Sequence, residues 1–262
     1  MEEHMISART IVLGVALLML TTAAALCADF IIPLPDFTYT PAELVSMGRQ
    51  LMGEAKIEDA IEVFSVALEE DSGYIDAYFY RGLAYAKNPA QADLAISDYG
   101  TVIKLQPNHS EAYFYRGLVY QGIKKNNDAA IRDFDKAISI NKGQADYFHY
   151  RALSLQSKGR LDAAIADFGR AIAICSTNGE YYFYRAMLFG WKKRDFDHAL
   201  ADFTRASQCN PAWGEYVFQQ ERLYSDCGKS DEAIVDFTKA ISLSPKTAGY
   251  WYRRGQEYYR IK

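Results

Sequence analysis

The sequence is poor in several residue types, and each shortage excludes a class of protein. Its 262 residues include only 4 Cys, 7 Pro and 17 Gly. A small disulfide-stapled scaffold needs a higher density of cysteine, and a collagen needs glycine at every third position. An excess of positive charge is also missing, because 29 basic and 33 acidic residues leave a net charge of −4. This balance argues against nucleic acid as the main partner, since phosphate binding relies on clustered, unpaired Lys and Arg.

Motifs of catalysis are missing too. The chain contains no G-x-S-x-G nucleophile elbow, no Walker phosphate loop and no G-x-G-x-x-G fingerprint. One of the 4 histidines, His4, lies near the N-terminus, and the others, His109, His149 and His198, share no motif that could hold a metal. We therefore expect a protein that is not an enzyme and that uses no metal and no cofactor.

Hydrophobic and aromatic residues, in contrast, are abundant. Half of the chain is hydrophobic, so it can bury a sizeable core and is not intrinsically disordered. The 20 Tyr, 14 Phe and 3 Trp are spread along the sequence instead of being gathered in one segment. An even distribution of such residues indicates internal repetition.

The first 28 residues differ in composition from the rest. Arg9 precedes an apolar run from Ile11 to Leu20, and small residues, Ala23 to Ala25, follow. This order is typical of a secretory signal peptide that is cleaved. The alternative is a retained membrane tether, because Ile11 to Ala28 is an uncharged stretch just long enough to span a bilayer. Both interpretations predict a chain that is exported, periplasmic or secreted, or anchored in a membrane and facing outward.

From residue 41 onward the sequence repeats every 34 or 35 residues. A small residue recurs at Gly48, Gly82, Gly117, Ala152, Ala186 and Gly255, with Glu221 in the one remaining place, and a second ladder is aromatic: Phe64, Tyr99, Phe134, Phe168, Phe203 and Phe237. Within each repeat the apolar residues are spaced by three and four, which predicts two amphipathic helices. One such hairpin cannot bury its own apolar faces, so neighbouring repeats must stack to form the core.

The segment "AYFYRGLVYQGIKKNNDAAIRDFDKAISI" resembles the tetratricopeptide repeat (TPR), with an aromatic, a Gly and a Tyr followed by Ala, Phe and Ala at the family's spacings. The resemblance implies an all-α fold, a right-handed superhelical α-solenoid of antiparallel helix pairs. The predicted domains are a signal peptide or anchor at 1–28, an extended linker at 29–40 and the solenoid at 41–262. Its six repeats cover 41–74, 75–109, 110–144, 145–178, 179–213 and 214–247, and a terminal helix covers 248–262.

Positions within a repeat are numbered here as places, where place 1 is the first residue of each repeat. The resemblance implies that the first helices line a concave groove for a partner protein or peptide, with places 5 and 9 facing it. Apolar and aromatic residues fill these places, and an arginine stands near each end: Phe79, Leu83, Phe114, Leu118, His149, Leu153, Phe183, Met187 and Phe218, with Arg49 and Arg222. An amphipathic helix or an extended apolar peptide would fit such a stripe, with the phenylalanines as anchors. The alternative is that these side chains pack on one another and seal the wall.

Place 7 and the residue before the aromatic of the second helix change together. In repeats two to five place 7 is Arg and the other residue is Asp, and in repeat one they are Met47 and Val63. Repeat six has Gln220 with Asp236. We therefore predict structural ion pairs within repeats two to five: Arg81 with Asp98, Arg116 with Asp133, Arg151 with Asp167, and Arg185 with Asp202.

The terminal helix carries Trp251, Tyr252, Tyr258 and Tyr259, a larger aromatic surface than a capping helix needs. Exposed apolar patches mark interfaces, so self-association through this helix is one expectation. For the whole chain we predict a non-catalytic scaffold that binds a partner polypeptide. Two alternatives remain open, an assembly or stability factor for a membrane complex and a non-catalytic subunit of an enzyme.

Overall fold

The computed structural model describes residues 39–210, 214–226, 228, 230–243, 245–246 and 248–262. The predicted signal or anchor at 1–28 and nearly all of the predicted linker at 29–40 lie outside these residues. None of the described helices combines the length and the apolar character that crossing a bilayer requires.

The described chain consists of helices and the turns between them, without a β-strand. The first helices of the repeats are α1 (Pro41–Gly53), α3 (Ile75–Tyr85), α5 (Ser110–Gly122), α7 (Ala145–Ser157), α9 (Gly179–Met187), α11 (Gly214–Asp226) and α13 (Ala248–Arg260). The second helices are α2 (Ile57–Glu70), α4 (Ala92–Leu105), α6 (Asn127–Ile140), α8 (Leu161–Ile174), α10 (Phe196–Cys209) and α12 (Ser230–Leu243). A short 3-10 turn (Pro89–Gln91) precedes α4, and a π-helical segment (Leu188–Lys193) extends α9.

Local chemistry explains where the helices begin and end. At the start of α1, the backbone N–H of Glu43 donates to the Thr40 hydroxyl and the backbone N–H of Thr40 donates to the Glu43 carboxylate, which is a capping box. Pro41 suits the first helical position because its missing N–H has no partner there. Between α7 and α8 the chain turns at Gly159, whose φ of +72° is a conformation that glycine adopts without strain.

The described chain divides into two compact units, of which one ends at Asp133 and the other begins at Phe134. In the first unit, α1, α2 and α3 bury Leu44, Val63 and Phe64 in a common cluster. In the second unit, Phe203, Tyr216 and Leu223 join α10 and α11. The second-helix aromatics have no exposed surface in either unit: Phe64, Tyr99, Phe134, Phe168, Phe203 and Phe237.

The small residue at place 8 allows the two helices of a repeat to approach closely. A Cβ atom added to Gly48 would lie 2.3 Å from the ring of Phe64, and one added to Gly82 would lie 3.0 Å from the ring of Tyr99. The glycine ladder and the aromatic ladder of the sequence are therefore two sides of one helix contact.

Candidate interaction surface

The candidate surface is the face of the first helices that carries places 5 and 9, hereafter the first-helix face. At place 5, most of the side chains are buried: Phe79, Phe114, His149 and Phe183 expose between 5 and 8% of their surface, while Phe218 is half-buried. The burial of Phe79, Phe114 and Phe183 favours the alternative in which these side chains pack against neighbouring residues. Binding of a partner to this face stays a prediction.

Aromatic side chains of the next repeat cover the place-5 rings. In the second unit the covering residue is a tyrosine at place 3, and the ring centroids lie 5.2 Å apart for Phe183 and Tyr216 and 5.3 Å apart for Phe218 and Tyr250. In the first unit the ring of Tyr115 from the next repeat lies 5.7 Å from that of Phe79, and His109, just before α5, lies 5.0 Å from it. Ring contacts at this distance exclude a partner from the same space.

Place 9 supplies the apolar surface that stays accessible. In the first unit Leu83 and Leu118 are half-buried, and in the second unit Leu153 and Met187 are half-buried. Each of them lies one helical turn after a place-5 side chain, so an accessible aliphatic group rests beside a rigid wall of rings. Within each unit the first-helix face therefore offers aliphatic contacts on a preformed aromatic base.

An arginine at place 9 stacks on an aromatic ring in each unit. The guanidinium carbon of Arg49 lies 4.9 Å from the ring centre of Tyr80, and that of Arg222 lies 4.8 Å from the ring centre of Trp191. Stacking leaves the edge of a guanidinium available for a carboxylate. Arg49 is exposed and Arg222 is half-buried, so both can contact an acidic group of a partner.

His149 is the polar exception in the wall of rings. Four aromatic centroids lie 5.0 to 5.7 Å from its own: those of Tyr150, Phe168, Tyr181 and Tyr184. Burial lowers the pKa of His149 to about 4, although the nearby Asp146 carboxylate acts in the opposite direction. His149 is therefore neutral at pH 7, and its buried Nδ1 has no hydrogen-bond partner among the described residues.

The arginines at place 7 hold the aspartates of their own repeats in two-pronged ion pairs. In each pair the Nε and Nη2 groups donate to the two carboxylate oxygens of one aspartate, as the guanidinium fork allows. The N–O distances are 2.8 and 2.9 Å for Arg81 and Asp98, 2.8 and 2.8 Å for Arg116 and Asp133, 2.7 and 2.8 Å for Arg151 and Asp167, and 2.7 and 2.8 Å for Arg185 and Asp202.

The place-7 side chain also reaches back to the preceding repeat, which sequence reasoning missed. Arg81 donates from Nη1 to the Ser65 hydroxyl at 3.0 Å, and Arg151 donates from Nη1 to the Asp135 carboxylate at 2.6 Å. Ser65 and Asp135 each follow the second-helix aromatic directly. Gln220 and Arg254 make the same contact with the hydroxyls of Thr204 and Thr238, at 3.0 and 3.1 Å.

A tyrosine at place 6 was also missed, although the recurring letters F-Y-R in the sequence display it. In repeats two to five this tyrosine packs on the second-helix aromatic of the preceding repeat. The ring centroids are 6.2 Å apart for Tyr80 and Phe64, 6.3 Å for Tyr115 and Tyr99, 6.5 Å for Tyr150 and Phe134, and 6.0 Å for Tyr184 and Phe168. Places 3, 6 and 7 thus join one repeat to the next, whereas place 8 joins the two helices of one repeat.

No group of three or more His, Cys, Asp and Glu side chains that could hold a metal occurs within the described ranges. At places 5 and 9 the first-helix face offers apolar contacts and stacked arginines.

Comparisons with known proteins agree with this architecture. A family model for the tetratricopeptide repeat matches residues 110–144 and 222–247. Among solved structures, YrrB, described as "a TPR protein with an unusual peptide-binding site", is similar with a TM-score of 0.62 and 20% identity, over 74% of this chain and 99% of that one. No curated protein sequence matches the chain.

Two further solved structures share the fold. The pilF protein of Pseudomonas aeruginosa has a TM-score of 0.68 and 16% identity, covering 85% of this chain and 97% of that one. MamA has a TM-score of 0.59 and 23% identity, covering 64% of this chain and 96% of that one. Together with the helix pairs, these similarities lead to one conclusion: the chain is an all-α helical-repeat solenoid, and its residues 110–144 and 222–247 match the tetratricopeptide-repeat model.

Proposed function

We propose that the protein is a non-catalytic scaffold that binds a polypeptide partner on its first-helix face. The observation that carries the proposal is the pairing of accessible aliphatic side chains at place 9 with a buried aromatic wall at place 5. A wall fixed in advance loses little conformational entropy when a partner binds. The partner would be an amphipathic helix or an extended apolar peptide.

The stacked arginines add a polar element to this surface. Arg49 in the first unit and Arg222 in the second are each held over a ring, so their guanidinium groups are oriented before a partner arrives. We expect a ligand that combines apolar side chains with at least one carboxylate. The similarity to YrrB, whose description names a peptide-binding site, is consistent with a peptide ligand.

Affinity capture with matched variants tests this proposal. The test variant carries Leu83→Ser and Leu118→Ser, which change accessible apolar groups at place 9. The control carries Leu94→Ser and Leu105→Ser, since these leucines of α4 expose 49 and 46% of their surface. Proteins that are captured by the native chain and by the control but lost from the test variant bind the first-helix face. Identical sets of captured proteins from all three chains would contradict the proposal.

We also propose that the chain acts outside the cytoplasm or tethered to a membrane. The support is the uncharged run from Ile11 to Ala28 behind Arg9. Mass spectrometry of the mature N-terminus separates the two forms, since cleavage near residue 28 indicates an exported protein. Retention of the run would favour a second candidate function, that of an assembly or stability factor for a membrane complex. A mature protein that keeps residues 1–28 and is found free in the cytoplasm would contradict both.

A further inference from the structure

The helix α13 presents the same features as the first helix of a complete repeat, but they are exposed. Trp251 at place 4 and Tyr258 at place 11 each expose 49% of their surface, and Tyr259 exposes 84%. A Cβ atom added to Gly255 at place 8 would meet nothing within 4 Å. No second helix packs against this side of α13 in the described part of the chain.

In complete repeats, the second helix occupies this side of the first helix. The ring of Phe64 fills the space at Gly48, where an added Cβ atom would lie only 2.3 Å from it. Tyr182, at the place that Trp251 takes in α13, exposes 7% of its surface, and Leu155, at the place of Tyr258, exposes 5%. At Gly255, in contrast, the described residues leave the corresponding space open.

Arg254 is positioned as the place-7 arginines are. Its Nη1 donates to the Thr238 hydroxyl at 3.1 Å, and its guanidinium carbon lies 4.9 Å from the ring centre of Trp251. Arg81 makes the equivalent contacts with Ser65 and Tyr78, and it uses its remaining Nε and Nη2 groups to hold Asp98. No carboxylate among the described side chains pairs with Arg254.

The second helices of this chain show which chemistry fits such a site. In repeats two to five they carry Ala-x-x-Asp-aromatic-x-x-Ala or the same pattern with a final Val, in which the aspartate pairs with the arginine and the aromatic meets the small residue. We propose that the side of α13 formed by Trp251, Arg254, Gly255 and Tyr258 docks an amphipathic helix of a partner protein with this Ala, Asp and aromatic pattern. The docked helix would take the position that a second helix takes in the complete repeats.

Charge favours a partner helix with an acidic group over a second copy of this chain. Arg253, Arg254, Arg260 and Lys262 surround the exposed rings, whereas the one acidic residue of α13, Glu257, is buried beside Arg260 and Ser230. Two α13 helices packed together would bring these positive charges close to each other, which disfavours that pairing. An aspartate on the incoming helix gives Arg254 the same partner that the other place-7 arginines have.

A peptide with the sequence of α6, NDAAIRDFDKAISI, provides a probe that carries this pattern. With blocked ends and a fluorescent label, it is titrated with the full chain and followed by fluorescence anisotropy. Gly255→Leu fills the open space and Arg254→Glu reverses the pairing charge, so each should weaken binding at least tenfold. Arg205→Glu makes the same charge change at an exposed place of α10 and should leave the affinity within twofold of native.

Exchange of charges makes the test independent of folding defects. A peptide with lysine in place of the residue equivalent to Asp133 should fail to bind the native chain and should regain binding to Arg254→Glu. A native peptide that does not bind, or that binds Gly255→Leu and Arg254→Glu as tightly as the native chain, overturns the proposal. Light scattering that shows a dimer dissociated by Gly255→Leu would also overturn it and would support self-association. These outcomes are independent of the proposed function of the first-helix face, because Leu83 and Leu118 are unchanged in these variants.

Discussion

Repeat one and repeats two to five fill the same space between their two helices by different chemistry. In repeat one Met47 and Val63 are buried against each other's helices without a charge. In repeats two to five the same places hold an arginine and an aspartate, of which the aspartates are buried. The comparison teaches that in repeats one to five these places hold a complete pair, either apolar or ionic. A mixed pair would leave a buried charge without its partner.

The arginine of an ion pair also contacts the preceding repeat, which the apolar pair of Met47 and Val63 does not do by hydrogen bonding. The arginine of repeat two binds Asp98 of its own second helix and Ser65 of the preceding repeat, so one side chain contacts two helices. A methionine has no donor and can only fill space. We therefore interpret the ion pairs as fixing the alignment of successive repeats as well as filling the interior, since buried ion pairs are weak evidence for net stability.

The largest expected effect comes from making a mixed pair in repeat three. Arg116→Met alone strands Asp133 in a buried site and should lower the free energy of unfolding by about 3 to 5 kcal/mol. Arg116→Met combined with Asp133→Val copies repeat one and should recover most of the loss. Urea unfolding of the native chain, both single variants and the double variant closes the thermodynamic cycle. A double variant no more stable than Arg116→Met would contradict the claim that the loss comes from leaving Asp133 without its partner.

The next largest expected effect is a loss of stability at acid pH that arises in repeat four, because only repeat four has a histidine at place 5. The unfolded chain binds a proton at His149 near pH 6.5, whereas the folded chain binds one only near pH 4. The unfolded state therefore holds more protons between these values, and this residue lowers stability as the pH falls from 6.5 to 4, by up to about 3 kcal/mol.

His149→Phe restores the residue of repeats two, three and five and should remove this component of the acid sensitivity. The groups that face His149 are Asp146 on its own helix and the rings of Phe168, Tyr181 and Tyr184; burial raises the pKa of both tyrosines, so they stay neutral in this range. Unfolding measured at several pH values for both chains isolates the histidine as their difference. Parallel stability curves from pH 7 to pH 4 would show that His149 is not buried as described.

A smaller change in stability is expected at place 8, which is tightly packed at Gly48 and open at Gly255. Gly48→Ala places a Cβ atom 2.3 Å from the ring of the fully buried Phe64 and should destabilise the chain by about 1 to 3 kcal/mol. Gly255→Ala, at the same place of α13, meets nothing within 4 Å and should be stabilising by about 0.5 to 1 kcal/mol, since alanine favours a helix over glycine. Equal midpoints of thermal unfolding for the two variants would contradict the close contact in repeat one.

The smallest expected change in stability tests the contact between the place-7 arginine and the second helix of the preceding repeat. Gly100 takes the place that Ser65 has in the preceding repeat, and an added Cβ atom would lie 3.8 Å from Nη1 of Arg116. Gly100→Ala should stabilise the chain by about 0.5 to 1 kcal/mol through helix propensity alone. Gly100→Ser should match or exceed it, because the hydroxyl can accept from Arg116 and add about 0.5 to 1.5 kcal/mol. A serine variant less stable than the alanine variant would mean that this contact does not form.

Much of this architecture follows from spacing alone. The repeat of 34 or 35 residues and the three- and four-residue steps within it are sufficient to predict helix pairs, because only helices bring such residues onto one face. The Arg and Asp residues change together along the chain, and their pairing in space follows from a fixed helix contact. Two interpretations of Phe79, Phe114 and Phe183 stayed open, since an aromatic stripe on a helix has the same pattern whether a partner or the next repeat covers it.

The sequence by itself determined the type of helix, the length of each repeat and the residues that must meet within a repeat. Those properties depend on contacts between residues close in the chain, which helical geometry fixes. Only the tertiary structure decided which rings are covered, how far Arg81 reaches into the preceding repeat and that one side of α13 stays open. Those properties depend on how neighbouring repeats pack, and the spacing of residues within one repeat does not specify the distance to the next.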